Sequence, residues 1–367
     1  IMKNVTKIAL LALMLSTSGF ATADHHAHTD DHATQVKHVG FSEMGEPATV
    51  LEVTSEASRA LRPGEVRVTV LASPINPSDL LQIAGKYGVD PILPARPGSE
   101  GVGRVTEVAT DVESLAVGQL VLLASGRTWA EELVAPAGGF LPLPDLGPIG
   151  ADVIEQLSMS AVNPLTALLM LTSYSDLKEG QWIAQSAANS AVGGYVIQLA
   201  KQRGIKTVNI VRREGLADEL MAKGADVVLI DGPNLAADIA KATGNAPIVL
   251  ALDPVGGDTY SRLAESLGYG GTLVTFGVLS GQPATLNTGS LISNDTRLRG
   301  FWLYKWYQTA SMQEKQTAFG QVIPLIANGT LKADIDSRFT VDQIQQAVTR
   351  ARERGRNGKV LIVPRPL

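Results

Sequence analysis

Apolar runs of strand length alternate with helical spacings of apolar residues through the second half of the chain. Residues 182–186 form a short apolar run, residues 194–203 carry apolar side chains at helical spacing, and residues 207–211 are rich in β-branched side chains. Gly204 ends the predicted helix. This order predicts a β–α–β unit in which a turn leads into a helix N-terminus.

The alternation continues as far as residue 303. It predicts strands at residues 226–231, 248–255, 272–277 and 298–303, with helices before the first three at residues 216–223, 235–242 and 260–267. Strands that alternate with helices at this spacing predict a doubly wound, Rossmann-like parallel sheet. Ligands bind beyond the carboxyl ends of such strands, and Gly256, Gly257 and Gly277 lie there.

The first half of the chain has short β-like runs separated by glycine and proline. Strands are predicted at residues 66–71, 101–109, 120–124 and 129–134. This pattern indicates a mostly antiparallel, β-barrel-like domain over residues 39–162.

A helix predicted at residues 163–171, with Pro164 near its start, leads into the nucleotide-binding half, residues 163–305. The tail, residues 306–367, adds helices at 312–327 and 341–353 and a strand at 360–363. Because the Rossmann-like series is complete before this tail, we expect the tail to return to the first domain.

Small residues occupy the turn of the β–α–β unit. Ala187, Ser190 and Gly193 are spaced three apart. Small side chains let backbone N–H groups approach a pyrophosphate, and the helix dipole favours the anion. The strict G-x-G-x-x-G pattern is absent, so a turn that only packs a helix on a strand is the alternative.

Two arginines, Arg212 and Arg213, follow the second strand of this unit. An NAD site usually has an acidic residue there, whereas two guanidinium groups suit the 2′-phosphate of NADPH. We therefore predict NADPH as the cofactor. A solvated basic strand end is the alternative.

Composition excludes several classes of chemistry. The chain has 367 residues, a net charge of −5 and no cysteine. The charge argues against general nucleic-acid binding. The five histidines, at positions 25, 26, 28, 32 and 38, all precede the predicted fold. A Cys/His zinc site and histidine acid–base catalysis are therefore excluded from the predicted folded body.

The N-terminus has the features of a secretory signal over residues 1–23. Lys3 and Lys7 precede an apolar run at residues 8–15, and an A-x-A pattern ends at Ala23. This pattern predicts an exported, periplasmic protein, and a cytoplasmic enzyme with a mis-set start is the alternative. The His/Asp-rich residues 24–38 predict a disordered leader or a loose metal site. No later segment is apolar for long enough to be a membrane helix.

A turn cluster and a tyrosine loop lie in the first domain. Asn76 begins the cluster Asn-Pro-Ser-Asp, a short helix is predicted from Asp79, and Tyr87 follows in a glycine-flanked loop. The Tyr87 hydroxyl is a candidate hydrogen-bond or proton donor in a cleft, or else it packs on the surface. Glu100 follows a turn and is predicted to be a buried carboxylate at the start of a strand, and Thr166 lies in the first turn of its helix.

Six stretches carry a resemblance to a known family: SPINPSDLLQIAGKYG, PGSEGVGRVTEV, NPLTALLML, QSAANSAVGGYVIQLA with VNIVRR, GGTLVTFG and RLRGFWL. In order and spacing they resemble the zinc-free branch of the medium-chain dehydrogenase/reductase superfamily, and most closely the trans-2-enoyl thioester reductases of the mitochondrial type. The resemblance implies a GroES-like catalytic domain with a Rossmann domain, and NADPH-dependent hydride transfer to the β-carbon of an enoyl thioester. It also implies a homodimer formed through the RGFWL strand. A quinone oxidoreductase of the same superfamily is the alternative.

The resemblance also implies roles for single residues. Tyr87 matches the tyrosine that orients the thioester carbonyl, and Trp302 matches the acyl-pocket tryptophan. The implied cofactor residues are Asn76 and Thr166 beside the nicotinamide, Ala187, Ser190, Val192 and Gly193 at the pyrophosphate, Arg212 and Arg213 at the 2′-phosphate, and Gly277 at a strand end. The zinc-dependent members have histidine where Ser99 stands here.

Overall fold

The computed structural model describes residues 34–367. The predicted signal peptide and most of the predicted leader lie outside the described residues. The N-terminal elements are β1 (Gln35–Gly40), α1 (Pro47–Val50), β2 (Glu52–Ala57), β3 (Glu65–Pro74), α2 (Pro77–Ile83), β4 (Val102–Val108), β5 (Leu120–Leu122), β6 (Glu132–Pro136), β7 (Leu141–Pro142) and α3 (Ala151–Leu157).

The middle part of the chain comprises α4 (Asn163–Ser173), β8 (Trp182–Gln185), α5 (Ala191–Gln202), β9 (Lys206–Val211), α6 (Ala217–Lys223), β10 (Val227–Ile230), α7 (Leu235–Ala242), β11 (Ile248–Asp253), α8 (Gly257–Glu265), β12 (Leu267–Thr275), α9 (Thr288–Ser293) and β13 (Arg297–Gly300). The tail comprises α10 (Leu303–Thr309), α11 (Met312–Ala327), β14 (Ile335–Phe339), α12 (Ile344–Arg352) and β15 (Lys359–Ile362).

Residues 34–367 form two large sheets and a separate two-stranded sheet of β1 and β2. The six-stranded sheet has the order β10-β9-β8-β11-β12-β13, and all its strand pairs are parallel. This is the doubly wound order expected of a Rossmann-like fold, in which the polarity of the winding reverses between β8 and β11. The carboxyl ends of β8, β9, β11 and β12 therefore lie side by side at one edge of the sheet.

The seven-stranded sheet runs β14-β15-β3-β4-β5-β7, with β6 on β3, and is mostly antiparallel as predicted. Strand β3 alternates buried and half-buried residues, which is the pattern of a strand with one face on a core. The tail joins this sheet, because β15 pairs with β3 and β14 pairs with β15.

Helix α4 connects the two halves and is buried from Asn163 to Leu171. Its side chains share one apolar core with α3, α5, α11 and the β11–β12 face of the parallel sheet. Helix α5 begins at an N-cap serine, Ser190, and its end is followed by Gly204 in the left-handed region. Between residues 34 and 367, no helix combines the length and the apolar character needed to cross a bilayer.

The fold starts earlier than the sequence pattern predicted. Strand β1 begins at Gln35 and pairs with β2, so His38 lies inside the folded body. The prediction that every histidine precedes the fold is wrong at this position. Strand β2 is largely exposed and lacks apolar alternation, so only its pairing with β1 reveals it. The His38 side chain is buried, and burial lowers its pKa.

Two predicted strands are also shifted. The strand predicted at residues 129–134 is observed as β6 from Glu132, because the Trp129 carbonyl accepts a hydrogen bond from Val39 instead. The strand predicted at residues 298–303 ends at Gly300, and the aromatic-rich segment after it forms α10. Aromatic residues favour strands locally, and tertiary packing overrides that preference here.

Candidate active site

The structure brings Tyr87 and Trp302 into direct contact. The Trp302 Nε1–H group donates a hydrogen bond to the Tyr87 hydroxyl oxygen at 3.1 Å. Their ring centroids lie 5.8 Å apart in an edge-on arrangement with an interplanar angle of 70°. Tyr87 lies in the loop after α2, and Trp302 caps α10, so the pair joins the two halves of the chain.

This contact leaves the Tyr87 proton free to be donated. The indole is only a donor, so the tyrosine oxygen must be the acceptor. No acceptor for the Tyr87 proton is found among residues 34–367. Tyr87 is half-buried, and burial raises the pKa of its hydroxyl. The site therefore presents a neutral phenol that holds its proton at physiological pH.

The small-residue turn has the geometry of an anion-binding loop. The Ser190 hydroxyl accepts a hydrogen bond from the Gly193 N–H at 3.1 Å. Ala187 has a φ of 48°, in the left-handed region that favours glycine. A Cβ atom at Gly193 would overlap the backbone of Ala188, so only glycine lets α5 lie this close to the turn. Val192 is half-buried on the core.

Other candidate cofactor residues line the same edge of the parallel sheet. Arg212 and Arg213 follow β9, and both are exposed. Neither is among the residues that form ion pairs within residues 34–367. Gly277 follows β12, where a Cβ atom would lie 2.9 Å from the carbonyl oxygen of Pro254. The free guanidinium groups, the N-terminus of α5 and the two glycine-only approaches fit a dinucleotide with a 2′-phosphate.

Asn76 and Thr166 lie at the seam between the two sheets, where both side chains are buried. Asn76 is the N-cap residue of α2, and Thr166 lies in the first turn of α4. The Asn163 Nδ2 group donates to the Asn76 Oδ1 atom at 3.0 Å, which ties the starts of these two helices together.

A buried charged network surrounds Asn76. Its Nδ2 group donates to Glu100 Oε1 at 2.8 Å, and its Oδ1 atom accepts from Lys359 Nζ at 2.5 Å. Its backbone N–H donates to Asp79 Oδ2 at 2.8 Å. Burial raises the pKa of Glu100 and lowers that of Lys359, and it raises the pKa of Asp79 to about 6.

Sequence reasoning did not assign this network to the site. Glu100 was visible as a carboxylate at the start of an apolar strand, and Lys359 is a lone charge that opens the strand KVLI. The sequence pattern indicated a buried carboxylate at Glu100, and the structure confirms its burial. A single charge at the end of an apolar run is common on protein surfaces, so the position of Lys359 did not indicate its burial.

The chain matches two family models and several characterised relatives. Residues 62–145 match the alcohol dehydrogenase GroES-like domain family, and residues 191–323 match the zinc-binding dehydrogenase family. The mitochondrial enoyl-[acyl-carrier-protein] reductase of Rattus norvegicus is 34% identical over an alignment of 349 residues that covers 92% of this chain and 92% of that protein. The chain belongs to the mitochondrial-type enoyl thioester reductase family. A Caenorhabditis elegans member is 43% identical over 259 residues, covering 69% of this chain and 72% of that protein.

Solved structures agree with this family. The complex of Etr1p with NADP and crotonyl-CoA superposes with a TM-score of 0.81 at 29% identity, covering 90% of this chain and 100% of that one. A putative NADPH:quinone reductase from Bacillus thuringiensis has a TM-score of 0.80 at 29% identity, covering 90% and 99%. Residues 34–367 contain no group of three or more His, Cys, Asp or Glu side chains placed to hold a metal ion.

The prediction of an exported, periplasmic protein is wrong. The relatives from rat, human, Arabidopsis thaliana and Dictyostelium discoideum are all named as mitochondrial, which points to a mitochondrial location. Lysines before a short apolar run are a compositional feature, and composition does not by itself choose the compartment.

Proposed function

We propose that this protein reduces the α,β double bond of trans-2-enoyl thioesters with NADPH. The observation that carries the proposal is the Tyr87 hydroxyl, which is held by Trp302 through its oxygen and keeps its proton free. The relatives are named enoyl-acyl-carrier-protein reductases, and the Etr1p neighbour was solved with NADP and crotonyl-CoA. Both support a reductase that acts on an enoyl thioester.

The role of Tyr87 follows from where charge develops in the substrate. When the β-carbon accepts a hydride, negative charge accumulates on the thioester carbonyl oxygen as an enolate, and a proton from solvent then adds to the α-carbon to complete the reduction. A donor aimed at that oxygen stabilises the transition state more than the ground state. The Tyr87 O–H group supplies this hydrogen bond, and the Trp302 N–H group sets the direction of the phenol.

The cofactor residues have separate roles. NADPH supplies the hydride when it is bound. The turn formed by Ala187, Ser190 and Gly193 holds the pyrophosphate at the N-terminus of α5. Arg212 and Arg213 bind the 2′-phosphate, and the remaining cofactor residues, at the nicotinamide and the strand ends, are Asn76, Thr166, Val192 and Gly277.

A substrate panel tests the reaction. We expect rapid NADPH oxidation with trans-2-enoyl-CoA substrates of about C4 to C12, because these thioesters carry the carbonyl that Tyr87 polarises. A parallel panel of quinones is the control, since the Bacillus thuringiensis neighbour is named for quinone reduction. Rapid turnover of quinones with none of enoyl-CoA contradicts the proposal and assigns the protein to the quinone reductases.

The protein is further proposed to form a homodimer through β13. This strand is an edge strand of the parallel sheet, and its outer edge pairs with no strand among residues 34–367. Exposed strand edges favour pairing with another chain, and the Etr1p/Etr2p neighbour is a heterodimer. Sedimentation equilibrium is expected to give twice the mass of one chain. A single-chain mass at micromolar concentration rejects the dimer.

A further inference from the structure

A buried carboxylate, Glu100, joins the two segments that meet at the candidate site. Its side chain is 0% exposed. One carboxylate oxygen accepts from Asn76 Nδ2 at 2.8 Å, and the other accepts from the backbone N–H groups of Ala161 and Val162 at 2.8 and 2.9 Å. Asn76 precedes α2, and the Ala161–Val162 peptide precedes α4. Both oxygens accept hydrogen bonds and neither donates one, which is the pattern of an ionised carboxylate. Burial raises the pKa of Glu100, and the Lys359 ammonium opposes that shift. Hydrogen bonds to an ionised acceptor are short and strong, so the carboxylate holds the two segments in a defined geometry.

Both segments lead on to the Tyr87–Trp302 contact. Helix α2 begins after Asn76, and Tyr87 lies in the loop just beyond that helix. On the other side, the Ala161 carbonyl accepts a hydrogen bond from the Tyr307 hydroxyl at 2.7 Å. Tyr307 lies in α10, which Trp302 caps. Glu100 is thus connected to both members of the pair through separate routes.

Lys359 fixes the orientation of the Asn76 amide between two opposite charges. Its side chain is 4% exposed, and its Nζ atom donates to Asn76 Oδ1 at 2.5 Å and to the Ile75 carbonyl at 3.0 Å. The amide therefore turns its NH₂ group to Glu100 and its oxygen to Lys359. A reversed amide would place like partial charges together at both ends. The ammonium also balances the buried carboxylates of Glu100 and Asp79.

We propose that Glu100, charge-balanced by Lys359, is a positioning residue that holds the Tyr87 hydroxyl against Trp302 across the seam between the two sheets. It acts through Asn76 on one side and through the Ala161–Val162 peptide on the other. The inference rests on the proposed function in so far as turnover is one of its readouts. A second, structural readout does not depend on the substrate.

The substitution Glu100→Gln tests the hydrogen bonds that Glu100 accepts, with little change in side-chain volume. An amide has one accepting oxygen and one donating NH₂ group, so it cannot accept from both Asn76 and the Ala161–Val162 peptide. We expect kcat to fall about tenfold, because a modest displacement of a reacting group costs this much or more. The Kd for NADPH, followed by quenching of its fluorescence, is expected to stay within about threefold (about 0.6 kcal/mol).

A double-mutant cycle separates positioning from general damage. If Glu100 acts through Tyr87, then adding Glu100→Gln to Tyr87→Phe lowers kcat by less than about twofold further. Independent effects multiply instead, and multiplied losses overturn the inference. The matched control is Glu155→Gln, since Glu155 is also buried but pairs with Arg338 at 2.6 Å and makes no hydrogen bond to Asn76 or to the Ala161–Val162 segment. We expect that variant to lower thermal stability and leave kcat unchanged.

The crystal structure of the Glu100→Gln variant supplies the readout that needs no substrate. We expect the Trp302 Nε1 to Tyr87 oxygen distance to increase from 3.1 Å beyond hydrogen-bonding range, about 3.5 Å. A contact kept at its original length overturns the inference whatever the turnover. If the wild type reduces neither enoyl-CoA nor quinones, the proposed function fails, while this measurement still decides the role of Glu100.

The lysine is tested by Lys359→Met and Lys359→Arg. The first leaves two buried carboxylates without a cation, and we expect a loss of kcat similar to that of Glu100→Gln. Combining it with Glu100→Gln should cost less than the product of the single losses, because the uncompensated Glu100 charge is removed. The arginine variant keeps the positive charge, so we expect it to retain most of the wild-type kcat. Multiplied losses in the double variant reject the charge-balance part of the inference.

Discussion

The substitution Tyr87→Phe is expected to lower kcat with trans-2-enoyl-CoA by about 10²-fold or more, the usual scale for a positioned acid–base group. The variant keeps the ring and its edge-on contact with Trp302 but loses the hydroxyl that donates a hydrogen bond to the carbonyl oxygen. The indole N–H also loses its acceptor, at a half-exposed position where water can replace it. The Kd for NADPH is expected to stay within about twofold (about 0.4 kcal/mol), because the residues proposed to bind the pyrophosphate and the 2′-phosphate are on other segments.

The control for this prediction is Tyr304→Phe. Tyr304 also packs against Trp302, with ring centroids 5.1 Å apart, so its substitution removes a hydroxyl from the same aromatic cluster. We expect near-normal turnover from it. Equal losses in the two variants would show that the cluster matters only for packing. Near-normal turnover of Tyr87→Phe would remove Tyr87 from the mechanism.

The pH dependence follows from the direction of the Tyr87 shift. Burial raises its pKa above the ordinary value of 10.0, so the hydroxyl is protonated throughout the neutral range. The donor is lost only as pH rises through this raised pKa. The kcat of the wild type should therefore show no loss from Tyr87 between neutral and mildly alkaline pH.

Replacing both arginines, as Arg212→Ala with Arg213→Ala, is expected to raise the KM for NADPH by about 10²-fold. Each charged hydrogen bond to a phosphate contributes about 1.5–3 kcal/mol, so losing two of them costs about 3 kcal/mol or more, which is about 10²-fold in affinity. The KM for NADH should change little, since NADH has no 2′-phosphate. The measurement is a set of initial rates with each cofactor, which reports the ratio of the two specificities directly.

The matched control is Lys201→Ala, which removes an exposed positive charge from the last turn of α5, the end away from the predicted pyrophosphate site. It separates a specific 2′-phosphate contact from general attraction of an anion. Equal KM values for NADPH and NADH in the wild type, unchanged by the double substitution, would sink the assignment of the two arginines.

Much of the parallel sheet was predictable because its elements are local. The helices at residues 235–242 and 312–327 were predicted with their observed ends, and the strands of the Rossmann-like series were found in order. Buried parallel strands are continuous apolar runs, and their crossover helices have apolar residues at helical spacing. These patterns depend on neighbouring residues in the chain, so sequence alone reveals them.

The features that the sequence did not predict correctly share a different cause. Strand β2 is exposed, and strand β6 is displaced because Trp129 bonds to Val39, so their ends depend on pairing with distant segments. The same holds for His38, whose burial follows from the pairing of β1 with β2. A polar strand at a sheet edge has little local signal, since its hydrogen bonds determine it rather than its hydrophobic pattern.

The sequence by itself determined the two-part fold, the absence of cysteine chemistry, the small-residue turn before α5 and the arginine pair after β9. Only the tertiary structure placed Tyr87 against Trp302 and turned the Tyr87 oxygen into an acceptor with its proton free. Only the tertiary structure gathered Asn76, Glu100, Lys359 and the Ala161–Val162 peptide into one buried network. The physical reason is that a charge or hydroxyl far along the chain gains its partners and its burial when distant segments pack, and no local pattern records which partners those are.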